Sequence, residues 1–373
     1  MEGKRHIKSV ASNLGGSQTK NVQIVPHSPP PKEKANIKRE KCFMELLSDP
    51  VINLDKIRGI SWAGIPDQFR AKVWRLFLDY EPVNSSIRDV TLEHKRNDYF
   101  DCLDRTFSEP QRHLWTNAQK QTELQILRDL PRTHSPLLRN QRVQLLFERV
   151  LFVWSVRHPA SGYVQGMNDL LQPFFFAFLV PHCPNKAVTE IITLNDLDFL
   201  SEEVLKEVEA DCFWCFSKLL DGLQDLYTKD QPGLYKMLDQ LSKVIDRVDP
   251  KLNEHLREEE IEYQEFAFRW MNCLLVREFS IPLIFRLWDS YLSNHTKISS
   301  THVYTCAALM VALSPKIIKL QHSDFVMKIQ SIDPESWTLN DMEMIIAQAY
   351  VYEKMFSHSP SHLRSSSMPV LPH

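Results

Sequence analysis

Two residues of this 373-residue chain are placed where a side chain can act outward: Arg132 and Gln165. Arg132 lies in the run Ile126-Leu127-Arg128-Asp129-Leu130-Pro131-Arg132-Thr133-His134. Pro131 fixes φ at its own position and disfavours helix at Leu130, so Arg132 should emerge, presented and not buried, from a constrained loop at a helix end. Asp129, three residues earlier, is near enough to brace the guanidinium by a charge-assisted hydrogen bond and to reduce the rotamer freedom lost on use. Taken alone, the segment is more readily a surface salt bridge of little energetic worth.

Gln165 lies in His158-Pro159-Ala160-Ser161-Gly162-Tyr163-Val164-Gln165-Gly166-Met167-Asn168-Asp169-Leu170. Two glycines and a proline make a compact break between long apolar stretches, at a point where backbone can approach a partner closely. An amide side chain both donates and accepts, so a glutamine there can orient a water without titrating. It can equally be an ordinary loop amide. Asn168 and Asp169 are expected to cap the helix that follows. A third segment, Gly64-Ile65-Pro66-Asp67-Gln68-Phe69-Arg70 with Trp74, places Arg70 and Trp74 one turn apart on a helix opened by Pro66. That pair reads as structural, the guanidinium bridging to a carboxylate and stacking on a ring.

The elements that carry these residues read as helices. Between the ends, apolar residues recur every three to four positions, and Gly is scarce at 9 in the chain, leaving little turn chemistry for a sheet. Val143, Leu146, Phe147, Val150, Leu151 and Trp154 mark one helix, which Pro159 should stop. Phe266, Trp270, Leu274 and Leu275 mark another, closing before Pro282. Thr338 with Asp341 resembles an N-cap and acidic first turn, followed by a stripe of Met342, Ile345, Ile346, Ala349 and Tyr350. There is no 34- or 40-residue repeat, which weakens a solenoid reading. Residues 1–45 read as a disordered, mildly basic arm, either a plain leader or a docking segment controlled by phosphorylation at Ser28; 356–373 read as a disordered Ser/Pro-rich tail.

Composition removes several function classes. A formal net charge of −3 gives no whole-chain field toward nucleic acid. Seven irregularly spaced cysteines make no disulfide framework, and Cys212 with Cys215 lacks the second pair of a zinc site. The longest apolar run, Leu170 to Val180, is interrupted by Gln172 and Pro173 and is too short to span a bilayer. A cytoplasmic chain with reduced thiols and no transmembrane segment is expected. An autonomous hydrolase would need a nucleophile with a base, or a metal set, and no His/Cys/Asp grouping has persuasive spacing for either.

The three segments together resemble the motifs of the TBC domain, the helical module of Rab GTPase-activating proteins. Arg70 and Trp74 meet its RxxxW, Ile126, Asp129 and Arg132 its IxxDxxR, and Tyr163 and Gln165 its YxQ. Phe266-Ala267-Phe268-Arg269-Trp270, Arg286-Leu287-Trp288-Asp289 and Ala347-Gln348-Ala349-Tyr350 look like the family's carboxy-terminal half, so the likeness runs from about Leu46 to Lys354. Arg157-His158-Pro159-Ala160-Ser161-Gly162-Tyr163, Glu209-Ala210-Asp211-Cys212-Phe213-Trp214-Cys215 and Gln231-Pro232-Gly233 resemble the subgroup that contains the metazoan TBC domain family member 22 and a yeast Golgi Ypt GAP. On that likeness Cys212 and Cys215 are core residues of a helix.

The resemblance implies an all-α fold, with one TBC domain over 46–355 made of two helical subdomains. It implies Arg132 as an arginine finger for a GTP-bound Rab-family GTPase and Gln165 as the residue that positions the attacking water. Asp129, Tyr163, Arg70, Trp74 and Asn168 would support them. An arginine finger supplied by such a partner contributes roughly 10³ to 10⁵ in rate. GTP and magnesium would belong to the GTPase, so the chain would need no cofactor of its own and run no self-contained reaction. Golgi or other vesicle traffic, with peripheral recruitment through the Rab, is the implied setting. A helical scaffold that binds a Rab without catalysis is the alternative.

Overall fold

With glycine rare and apolar residues in helical register, the described backbone satisfies most of its hydrogen bonds within helices. The computed structural model describes residues 31–132, 135–228 and 230–357. The helices are α1 (Pro31–Ser48), α2 (Leu54–Ser61), α3 (Asp67–Phe77), α4 (Ser85–Phe107), α5 (Glu109–Arg112), α6 (Asn117–Asp129), α7 (Gln141–Arg157), α8 (Met167–Leu179), α9 (Val188–Ile191), α10 (Glu202–Asp221), α11 (Pro232–Val248), α12 (Pro250–Glu258), α13 (Tyr263–Cys273), α14 (Ile281–Leu292), α15 (Ile298–Ile317), α16 (His322–Gln330) and α17 (Leu339–Ser357). Among the described residues no strand forms, and one isolated antiparallel bridge joins Val51 to Asn84.

Helix ends follow local chemistry. The side chains of Asn84, Asn140 and Ser201 accept amides in the first turns of α4, α7 and α10. Thr116 and Gln119 form a reciprocal capping box on α6, the helix that leads to Arg132. α7 ends at Arg157, two residues short of Pro159, as the sequence predicts.

α8 is the central helix. Every residue in it except Gln172 is buried, in keeping with a segment that is apolar on all sides. It packs against α3, α7 and α10 and also against α13 and α14. From Cys42 onward the chain forms one compact unit with a contiguous apolar core. The two helical subdomains expected from the resemblance therefore share that core through α8 and do not stand apart. Trp74 of α3 shows how the halves meet, with its ring 5.8 Å from Phe174 of α8 and 5.6 Å from Phe285 of α14.

Three expectations need correction. The arm expected to be irregular through residue 45 is helical from Pro31, because Phe43 and Leu47, one turn apart, bury themselves and Phe43 stacks on Phe69 at 5.8 Å. The rest of that arm, including Ser28, and the tail from residue 358 lie outside the described residues. On α17, Met342, Ile345, Ile346 and Ala349 are buried, but Tyr350 is 45% exposed and meets Trp62 edge-on; Tyr352 continues the buried face instead. Residue 350 follows 349 by about 100° of helix rotation, which carries it to the edge of the stripe. Finally, α13 closes before Pro282 as expected, but it stops at Cys273 and leaves Leu274 and Leu275 outside the helix, both with left-handed φ, 46° and 62°.

Candidate functional site

Arg70 and Trp74 anchor the frame around the site. Both reach the fully buried carboxylate of Asp289 on α14, Arg70 Nε at 3.1 Å and Trp74 Nε1 at 2.8 Å, and the Ile65 amide adds a third donor at 2.7 Å. The Arg70 guanidinium also lies over the Phe285 ring at 4.6 Å and pairs with Asp67. Burial works against its charge, but Asp289 and Asp67 outweigh that and the net pKa direction is upward. The carboxylate and the ring expected from sequence are thus Asp289 and Phe285, and they join α3 to α14.

Arg132 closes the 3₁₀ turn Leu130–Arg132 that follows α6, where Pro131 breaks the α-helical run. Its side chain is 56% exposed, and its Nη1 lies 3.4 Å from Oδ1 of Asp129, whose side chain is 5% exposed. The other oxygen of Asp129 accepts from the Tyr163 hydroxyl at 2.9 Å. Burial, and then the Asp129 carboxylate, hold the Tyr163 phenol well above its ordinary pKa, so it stays a donor. The same hydroxyl lies 3.4 Å from Asn168 Oδ1. Arg132 therefore has an exposed outer end and a base set by the end of α6 and the Tyr163 loop.

Gln165 is exposed on the loop between α7 and α8. Its carbonyl accepts from Asn272 Nδ2 of α13 at 2.6 Å. Gly166 follows with φ of 100°, and it, not Asn168 or Asp169, is the N-cap of α8, with no side-chain capping bond. The expected caps are wrong because both side chains lie inside the first turn and are committed elsewhere. Asn168 turns toward Tyr163; Asp169, 2% exposed, accepts from Arg277 Nε at 2.8 Å and Gln172 Nε2 at 3.0 Å and meets Cys273 Sγ at 3.5 Å. Burial pushes the Asp169 carboxyl up, and Arg277 offsets only part of that.

Residues 67–318 match the Rab-GTPase-TBC domain. The chain belongs to that family. It is 40% identical over 343 residues to TBC1 domain family member 22B of Homo sapiens, a match covering 90% of this chain and 65% of that protein. It is 38% identical over 342 residues to the GTPase-activating protein gyp1 of Schizosaccharomyces pombe, covering 89% of this chain and 64% of that one. The chain thus spans just under two thirds of the length of these relatives. Among solved structures, the Ypt/Rab-GAP domain of Gyp1p superposes with a TM-score of 0.80 at 37% identity, covering 86% of this chain and 99% of that domain. A flagellar RabGAP TBC domain from Chlamydomonas, at 18% identity and TM-score 0.58, shares the fold.

Within this TBC domain, Arg132 borders a cavity of about 370 Å³ also lined by Asp169, Gln172, Val276, Arg277 and Phe279. Gln165 does not line it. Arg128, four residues before Arg132, is exposed on α6. Cys212 and Cys215 are fully buried in α10, and burial holds both thiols far above their ordinary pKa. Among the described residues no cluster of three or more His, Cys, Asp or Glu side chains is arranged to hold a metal ion, and no helix is long and apolar enough to cross a membrane.

Sequence reading missed Asn272, Cys273 and Arg277, which hold the Gln165 loop from more than a hundred residues away. The only signal for them is a pair of polar residues, Asn272 near the end of α13 and Arg277 beyond it, on either side of an apolar Leu274-Leu275-Val276 run.

Proposed function

We propose that this TBC domain is a GTPase-activating protein for a Rab-family GTPase in its GTP-bound form, acting in Golgi or other vesicle traffic. Arg132 enters the partner's nucleotide site and Gln165 positions the attacking water. GTP hydrolysis spreads negative charge over the γ-phosphoryl and the leaving oxygen, and a slow GTPase lacks positioned positive charge and an oriented water. The observation that carries the reading is the pairing of an exposed Arg132 end with a buried Asp129 base that is itself held by Tyr163, two residues from Gln165. A guanidinium so braced loses less freedom when it engages a phosphate.

The domain brings no nucleotide or metal chemistry of its own in this reading; both belong to the GTPase. Recruitment to a membrane follows from the Rab. The test is a screen of GTP hydrolysis over a panel of GTP-loaded Rabs with the purified chain. Acceleration of at least one Rab by orders of magnitude supports the reading. Tight binding to GTP-loaded Rabs with no acceleration of any of them would instead make the chain a Rab-binding scaffold.

A further inference from the structure

A glutamine on a loop orients water only if the backbone beneath it is held. The atom held here is the carbonyl of Gln165, which takes the Asn272 amide at 2.6 Å. Among the described residues this is the only hydrogen bond of the Asn272 side chain, since its Oδ1 has no partner.

Asn272 is itself fixed. It is 4% exposed, and its own carbonyl accepts from the hydroxyl of Tyr227, a fully enclosed side chain, at 2.7 Å. Two residues earlier the Trp270 carbonyl is bound by His302 Nε2 at 2.9 Å. Two residues later the chain reverses through Leu274 and Leu275, both with left-handed φ. Such backbone costs on the order of 1 kcal/mol or more per residue and persists where its surroundings over-determine it. Beyond the reversal, Arg277 reaches Asp169, so one turn of chain grips the Gln165 loop on both sides of Gly166.

Gly166 permits the approach. A Cβ there would stand 2.8 Å from Asn272 Nδ2 and 3.0 Å from Cys273 Sγ, and its φ of 100° already disfavours other residues. A side chain at this position would have to displace the Asn272 amide or the Cys273 thiol.

We propose that Asn272 is a positioning residue for Gln165. Its amide fixes the peptide that carries the glutamine from the α13 side, while Tyr163 and Asp129 fix the same loop against the base of Arg132. The proposal rests on the role given to Gln165 above.

The test is a double-mutant cycle in single-turnover GTP hydrolysis by a responsive Rab, using the full chain with Asn272→Ala, Gln165→Ala and both, each checked by thermal unfolding. Asn272→Ala is expected to lower the maximal rate by about 10-fold or more. The concentration giving half-maximal stimulation should stay within about 2-fold of wild type. Once Gln165 is alanine, the second change should cost nothing further. Should Asn272→Ala not fold, Asn272→Ser enters the same cycle with the same expectations. An equal loss in both backgrounds makes Asn272 merely structural and overturns the proposal, as does an unchanged rate in the single variant. A wild-type chain that stimulates no Rab, or a Gln165→Ala chain as active as wild type, removes the role of Gln165 and this proposal with it. A failed cycle alongside a clear Gln165→Ala defect removes the positioning role alone.

Discussion

The Tyr163 hydroxyl donates to one oxygen of Asp129 at 2.9 Å while the other oxygen lies 3.4 Å from Arg132. One buried acid thus couples the turn that presents Arg132 to the loop that presents Gln165. Spacing alone puts Asp129 beside Arg132, but only the fold brings in Tyr163 from the far side of α7.

Removing that coupling should be felt in both stability and rate. Tyr163→Phe deletes the donor and leaves a buried carboxylate oxygen without it, a loss of about 1.5–3 kcal/mol for a hydrogen bond to a charged group. Urea unfolding should show a lower midpoint with an unchanged slope, and Rab stimulation should fall several-fold. A variant with wild-type stability and wild-type stimulation would mean that Asp129 needs no second partner.

Asp289 is expected to matter to the frame and not to the chemistry. Asp289→Ala leaves Arg70, a residue only 6% exposed, with Asp67 and the Ile65 carbonyl but without its buried counter-charge, and frees the Trp74 indole. Breaking a buried pair on one side costs about 3–5 kcal/mol. Denaturant unfolding measures this directly. A cost below about 1 kcal/mol, the range of an exposed ion pair, would show that Asp289 does not hold α3 to α14.

His302 should make stability pH-dependent at the mildly acidic end. Its ring is fully buried between Tyr291 and the Trp270 carbonyl, and burial lowers its pKa from 6.5 to about 4. The unfolded chain therefore binds a proton that the folded chain refuses between those values. The stability this gives is complete above pH 6.5 and is lost as pH falls toward 4. Thermal midpoints of wild type and His302→Gln, compared at neutral pH and within that window, should converge as the pH falls. Parallel curves would assign the acid sensitivity to other groups.

Much of this was legible in the sequence because helical periodicity and proline stops are local. The Val143–Trp154 stripe became α7, and Arg70 and Trp74 took the structural role their spacing implied. Arg132 emerged exposed beside Asp129 for the reason that Pro131 gave. What escaped is non-local. Nothing near Arg70 marks Asp289, 219 residues on, as its acceptor, and nothing near Gln165 marks Asn272. Asn168 and Asp169 carry the composition of caps, and only tertiary partners reveal that they are spent on Tyr163 and Arg277. The Leu274–Leu275 reversal was illegible too, since two leucines are ordinary helix formers and only packing drives them left-handed.

The most direct test of the central claim is single-turnover GTP hydrolysis by a responsive Rab with Arg132→Ala in place of the wild-type chain. Arg132 is more than half exposed and packs into no core, so the variant should unfold at the wild-type temperature. Stimulation should drop by about 10³-fold or more, the contribution of a finger supplied in trans. Gln165→Ala in the same assay should lose much, but not all, because charge stabilisation remains. Full stimulation by a folded Arg132→Ala chain would contradict the account.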